Sequence, residues 1–257
     1  EGVTYSYNNN DPFFYFLMFS MAKLGFSDNS FFLICYMLYS IPIFYACKKM
    51  FKDYWPFGLL MFFSYFEFYA YGVNGIRSGI AASFFILALS ITDSKFTKYC
   101  LFLISVTTHL TAVVPVIFYF LQYLVKDIKY IYILWFLSVP FSFLIGNNIS
   151  EIFSFLLNER TVYYLSNPDE SLYDSGFRID FILYTLSAVL FSSYMIYNKN
   201  FKDDFYHIIV KTFLLTNIFW IFTIYSNFSN RIAYLSWSFL SLLIIYPFLN
   251  KKMFNYQ

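Results

Sequence analysis

Apolar runs of about 17–22 residues recur along most of this chain, and that length matches the hydrocarbon thickness of a bilayer. "FFLICYMLYSIPIFYAC" runs into Lys48-Lys49, and "IYILWFLSVPFSFLIG" follows Lys129. In lipid every backbone N–H and C=O has to be satisfied within the protein, so runs of this kind fold as helices. Of the 257 residues 60% are hydrophobic and only 12% charged, about half the charged fraction of a soluble domain. The expectation is an all-α, polytopic integral membrane bundle in a single transmembrane domain over 1–257. It has about 9–11 spans when short broken helices are counted. The chain opens at Glu1 without an initiator Met or a signal-peptide pattern, so a further upstream span is expected.

Lysines punctuate the runs and place spans near 28–47, 54–72, 74–91, 129–146, 177–198, 205–226 and 229–248. From Phe96 to Val125 the apolar stretch is long for one span and short for two. Two abbreviated helices meeting near Thr108-His109 account for it, a pattern that lines cavities in membrane proteins. Ahead of the first span, Asp11 to Gly25 forms an interfacial or half-buried helix, capped by Asp11 with Pro12 in its first turn. The one long polar excursion, 146–177, carries Ile152, Phe155 and Leu156 at helical spacing. It reads as an amphipathic surface helix followed by the turn-rich "SNPDESLYDSG". Cys35, Cys47 and Cys100 lie in or beside apolar runs without metal spacing and read as small buried hydrophobes.

The basic residues sort by type. The chain has thirteen lysines and four arginines, seventeen in all. On the topology above, Lys48, Lys49, Lys52, Lys95, Lys98, Lys126, Lys129, Lys199, Lys202, Lys251 and Lys252 share one side. The positive-inside rule makes that side cytoplasmic. Arg77, Arg160, Arg178 and Arg231 share the other, and Lys23 and Lys211 are the exceptions. The topology rule treats the two cations alike, whereas chemistry does not. A guanidinium is a planar, permanently charged fork suited to phosphate oxygens. Four forks on the outer side point to a strongly anionic ligand.

Each candidate carries two readings. Arg77 is either a snorkelling residue or, with Gly75, Gly79 and the helix N-terminus, a diphosphate cradle. His109 is either a hydrogen-bonded structural residue or a general base or donor to a sugar or phosphate oxygen. Arg178 either pairs with Asp180 across a helix start or faces the ligand. Arg231 begins another helix, with Asn230 as its cap. Glu67 lies within a span, where a carboxylate is costly; it is either functional, as an alternate base, or paired with an arginine. Arg160 is either a surface charge or a ligand contact, and Tyr163, Tyr164 and Tyr173 could stack on sugar rings. His207 is assigned no role. Sequons occur at Asn148 and Asn227 on the outer side. There is no phosphate-binding loop, dinucleotide fingerprint, GxSxG or His pair at metal spacing. No Asp-x-Asp stands on the outer side, which disfavours a metal-dependent sugar-nucleotide transferase, and no basic arm exists for nucleic acid.

"YGVNGIRSGIAASFFILALS" followed by "FTKYCLFLISVTTHLTAVVPVIFYFL" resembles the EpsG-like and Wzy-type polysaccharide polymerases, with "SGFRIDFILY" and "NRIAYLSW" similar to later segments. The resemblance spans about Asp11 to Tyr246. It implies a GT-C-like fold and a metal- and cofactor-independent glycosyltransferase at the periplasmic face of the bacterial inner membrane. That enzyme joins undecaprenyl-diphosphate-linked oligosaccharide repeat units into O-antigen or a related polysaccharide. Carried over by motif, Asn74, Arg77, Arg178 and Arg231 bind substrate, with Arg160 and Tyr173 beside them, and His109 acts as base with Glu67 as the alternate. A chain-length-regulator membrane protein is the implied partner beyond the bilayer. A transporter or flippase for an anionic lipid, or a ligase, is the competing class.

Overall fold

The computed structural model describes residues 11–145, 176–225 and 229–249. The amphipathic segment expected over 146–177 falls almost wholly outside them, as do Arg160, Tyr163, Tyr164, Tyr173, Lys251, Lys252, Asn148 and Asn227. All regular structure among the described residues is helical. By length and composition four segments can cross a membrane: Asp28–Ser64, Ile179–Asn198, Asp204–Phe222 and Ser229–Leu249. Shorter apolar helices stand at Ile76–Ser90, Leu110–Leu124 and Ile128–Leu144. The chain is a polytopic helical membrane bundle.

It divides into two compact units, the first running to Val116 and the second from Ile117 to Pro247. The first unit contains α1 (Pro12–Lys23), α2 (Asp28–Phe51), α3 (Trp55–Ser64), α4 (Phe66–Val73), α5 (Ile76–Ser90) and α6 (Lys95–Thr108). A 3-10 turn at Leu110–Ala112 then leads into α7 (Val113–Leu121). Ser27 starts α2 by accepting the Ser30 N–H, and Ser94 starts α6 by accepting that of Thr97, which satisfies donors a helix start leaves open.

Helices α2 and α5 run in the same direction. Ser83 Oγ donates to the Leu38 carbonyl at 3.2 Å midway along them, and Lys49 near the end of α2 pairs with Asp93 just beyond α5. Helix α6 returns antiparallel, held by Ser105 Oγ donating to the Ala81 carbonyl at 2.6 Å. Lys48, Lys49 and Lys95 therefore mark one end of this unit, and Arg77 and His109 the other.

Two expectations change here. The span expected over 54–72 is broken: Tyr65 is extended (φ −80°, ψ 141°) between α3 and α4. That places Glu67 in the first turn of α4, buried at 4% exposure. The glycines of "NGIRSG" admit tyrosines rather than an open cradle. A Cβ on Gly79 would stand 2.9 Å from Tyr71 Cβ, and one on Gly75 3.1 Å from the Tyr71 ring. Bare backbone at these two positions lets α4 and α5 close on each other.

The second unit carries the rest of α7, then α8 (Ile128–Ile145), α9 (Ile179–Ser193), α10 (Asp204–Phe222), α11 (Ser229–Trp237) and α12 (Leu240–Leu249). Its interior is polar in places and its outside apolar, the reverse of a soluble domain. Leu137, Phe143, Leu144 and Leu183 are exposed, while Thr212, Thr216, Asn217 and Ser236 are buried. Asn217 joins three helices: its Oδ1 accepts from Trp135 Nε1 at 2.7 Å, and its Nδ2 donates to Ser236 Oγ at 3.0 Å. Tyr132 donates to Ser192 at 2.9 Å, which sets α8 antiparallel to α9. Lys211 stands within α10, yet its ammonium reaches back to the carbonyls of Val125 (2.6 Å) and Lys126 (3.2 Å). This exception to the lysine sorting thus joins the lysine end of its unit. Arg178 and Arg231 lie toward the opposite end, where Phe177 packs on Phe143 and Tyr225.

Asn217→Leu leaves the Trp135 N–H without its acceptor inside an apolar bundle. The expected loss is about 1–2 kcal/mol of stability, read as a lower unfolding midpoint in detergent, with Asn217→Gln losing less.

Candidate active site

A cation at a helix N-terminus is opposed by the helix dipole, which favours anions there. Three arginines of this chain nevertheless stand at such positions. Arg77 is the second residue of α5, Arg178 precedes the first residue of α9, and Arg231 is the third of α11. An anion nearby offsets this cost, and for Arg77 and Arg178 it is a carboxylate of the protein.

For Arg77 that anion is Asp11. The residue occupies the N-cap position of α1, but its side chain makes no cap hydrogen bond there, which corrects the sequence expectation. The carboxylate turns to three donors from other elements. Arg77 Nη1 donates to Oδ2 at 2.7 Å, His109 Nδ1 lies 3.1 Å from the same oxygen, and the Leu110 N–H donates to Oδ1 at 2.8 Å.

The local fold explains each donor. His109 ends α6 in an extended conformation (φ −152°, ψ 119°), the break expected near Thr108-His109, and the chain resumes with the turn at Leu110. A break of this kind leaves a backbone N–H outside the helical ladder, and Asp11 takes it. Phe14, one turn into α1, also lies under the Arg77 guanidinium at 5.9 Å from its ring centroid.

Exposure grades across the cluster. The Asp11 side chain is 7% exposed, His109 22% and Arg77 43%. A buried anion thus holds a half-open imidazole and an open guanidinium fork. Burial works to raise the Asp11 pKa, but the hydrogen bond and charge of His109, the Leu110 N–H and the Arg77 charge outweigh it. The carboxyl is held below its ordinary value. Such a pair of outward groups can hold an oxyanion and exchange a proton with a nearby hydroxyl.

The remaining candidates lie elsewhere. Asn74 is exposed at the C-cap of α4. Glu67 is buried next to Phe68, whose carbonyl accepts from the Tyr39 hydroxyl, and it is not among the groups that bind Asp11. In the second unit Arg178 forms the local pair with Asp180, Nε to Oδ1 at 2.9 Å and Nη2 to Oδ2 at 2.6 Å, and stacks on Phe181 at 3.8 Å. Arg231 is exposed on α11, and its own backbone N–H donates to Asn230 Oδ1. The structure therefore brings Arg77 and His109 together and adds Asp11. Sequence reasoning missed Asp11 because an acid before proline reads as a helix cap; the available signal was the pair of cationic or ionisable groups at one end needing a nearby carboxylate.

The fold and this cluster define a multi-pass helical membrane protein with a carboxylate-centred Arg–His site at one end of a helix bundle. A family model described as the EpsG family matches residues 1–257, and the chain belongs to that family. Membership carries a glycosyltransferase-like role in the membrane. No curated protein and no solved structure matches the chain.

The lowered Asp11 pKa fixes a pH dependence. Its stabilisation is complete above the unfolded-state value, near 3.8, and is lost as pH falls through the lower folded-state value. The gap in unfolding midpoint between the wild type and Asp11→Asn should close as pH falls below about 4, read from paired unfolding scans at about pH 5 and about pH 3.

Proposed function

We propose that this protein polymerises lipid-linked oligosaccharide repeat units, transferring a glycan from a polyprenyl diphosphate such as undecaprenyl diphosphate to the next unit at the periplasmic face of the inner membrane. The observation that carries the reading is the Asp11–Arg77–His109 cluster, set at the end of its unit opposite the lysines in a chain of the EpsG family.

In such a transfer the acceptor hydroxyl oxygen bonds to the anomeric carbon of the donor. The bond from that carbon to the diphosphate oxygen breaks, and the lipid diphosphate leaves with the electron pair. Charge develops on the leaving group, where fixed donors in a partly dry site act most strongly. Arg77 has the open fork for that task, and His109 takes the hydroxyl proton. Asn74 is a further substrate contact beside Arg77 in this reading, and Arg178, Arg231, Arg160 and Tyr173 are each proposed separately as a contact for a phosphate or sugar of a lipid-linked substrate. Glu67 is the alternate base in this reading.

The test is purified protein in nanodiscs given lipid-linked repeat units. A ladder of glycan lengths is the expected product, whereas unchanged single units overturn the reading. Arg77→Lys keeps the charge and loses the fork, so polymerisation should fall at least about tenfold, about 1.4 kcal/mol of transition-state binding. Guanidinium groups stabilise the leaving group without metal, so the ladder should persist in excess chelator; its loss would remove the arginine-only mechanism.

A further inference from the structure

Nothing in the transfer just described uses Asp11, yet its carboxylate is the most buried member of the cluster and the one to which the others attach. We infer that Asp11 is a positioning residue that fixes the hydrogen of His109 on Nδ1 and leaves Nε2 as the proton-accepting nitrogen, while holding Arg77 in the same frame. The consequence for catalysis rests on the polymerase reading; the state of the imidazole does not.

The argument starts from donors and acceptors. An ionised carboxylate only accepts hydrogen bonds. Oδ2 of Asp11 stands 3.1 Å from His109 Nδ1, so that nitrogen carries the hydrogen, and a neutral ring then has its lone pair on Nε2. The ring is held from two directions by one group. Oδ2 binds its Nδ1 and Oδ1 binds the backbone N–H of the next residue, Leu110, at 2.8 Å. Side chain and main chain of the break are thereby locked together, the second-layer support that a proton-transferring group needs for defined geometry. Water competes poorly for the contact, because the Asp11 side chain is only 7% exposed. The orientation does not serve α1 either: a carboxylate at an N-cap position ordinarily accepts from its own helix, and this one does not.

During transfer the acceptor O–H bond breaks as its oxygen bonds to the sugar. The proton moves to Nε2, and the positive charge on the ring is balanced by Asp11 without the carboxylate itself taking a proton. Arg77, bound to the same oxygen at 2.7 Å, keeps its remaining N–H groups for the diphosphate.

The experiment uses the full chain in nanodiscs with 15N-labelled histidine. The chain has two histidines, so His207→Gln leaves a single signal for His109. The expected spectrum, recorded at a pH where the ring is neutral, shows a protonated Nδ1 and an unprotonated Nε2, and Asp11→Asn shifts the ring toward the opposite or a mixed tautomer. A wild-type ring protonated on Nε2 alone overturns the inference.

Kinetics supplies the second readout. Asp11→Asn should lower kcat by about a hundredfold or more, yet clearly less when His109 is already Gln, because only its hold on Arg77 is then left to remove. Losses that multiply in the double variant would make Asp11 a mere anchor for α1 and overturn the inference. If the wild type forms no ladder, the polymerase reading falls while the spectrum still decides the tautomer. If the ladder forms and the tautomer is reversed, only the role of Asp11 falls. Should Asp11→Asn fail to fold, the wild-type spectrum by itself upholds or overturns the inference.

Discussion

In a membrane protein a helix stops most readily where some other group takes up the backbone hydrogen bonds it abandons. At His109 that group is Asp11. The interruption of α6 frees the Leu110 N–H, and one carboxylate accepts it, receives the imidazole on its other oxygen and draws in the guanidinium of Arg77. Break, base and cation form a single arrangement. Without the carboxylate the freed N–H and the Arg77 charge would both lack this partner.

The other break, at Tyr65, has a different character. It places a second carboxylate, Glu67, at the head of α4, buried beside the contact between Tyr39 and the Phe68 carbonyl. Tyr39 and Tyr71 also fill the space left by Gly79, so the start of α5, and with it Arg77, is seated by aromatic packing on bare backbone. The precision of the cluster depends on both features: polar ties that fix the groups to one another, and close helix contact that fixes the helix carrying them.

Lys23 apart, each unit, taken by itself, separates its described cations by type. The lysine ends are tied to partners at their own end of the unit: Lys49 to Asp93, and Lys211 to the carbonyls of Val125 and Lys126. Asp93 is drawn below its ordinary pKa first of all by the hydrogen bond from Lys49. The arginines stand against helix dipoles instead, a placement that is unfavourable unless an anion is present. Arg178 meets this locally, through a carboxylate two residues on and the face of Phe181. Arg77 meets it at long range, through a residue 66 positions away. The difference matters for function, because the local pair fixes Arg178 to its own helix start whereas the distant one ties Arg77 to His109.

Sequence by itself determined the class of fold: apolar runs of bilayer length dictate helices, because lipid offers the backbone no other partner. The interruption at His109 was legible as well, since thirty apolar residues are too many for one span and too few for two. So was the sorting of lysine from arginine along the chain, even to the exception at Lys211, though not the reason for that exception. Tertiary structure decided the rest. The break at Tyr65 leaves no mark in a run of "FFSYFEFYAY", where hydrophobicity is continuous and no proline or glycine interrupts it. Asp11 was hidden for a related reason: "NDPFF" satisfies the local grammar of a helix start, and local grammar is all that neighbouring residues can report. Which donors a carboxylate finally accepts depends on what the fold carries to it, here from residues 66 and 98 positions further along the chain.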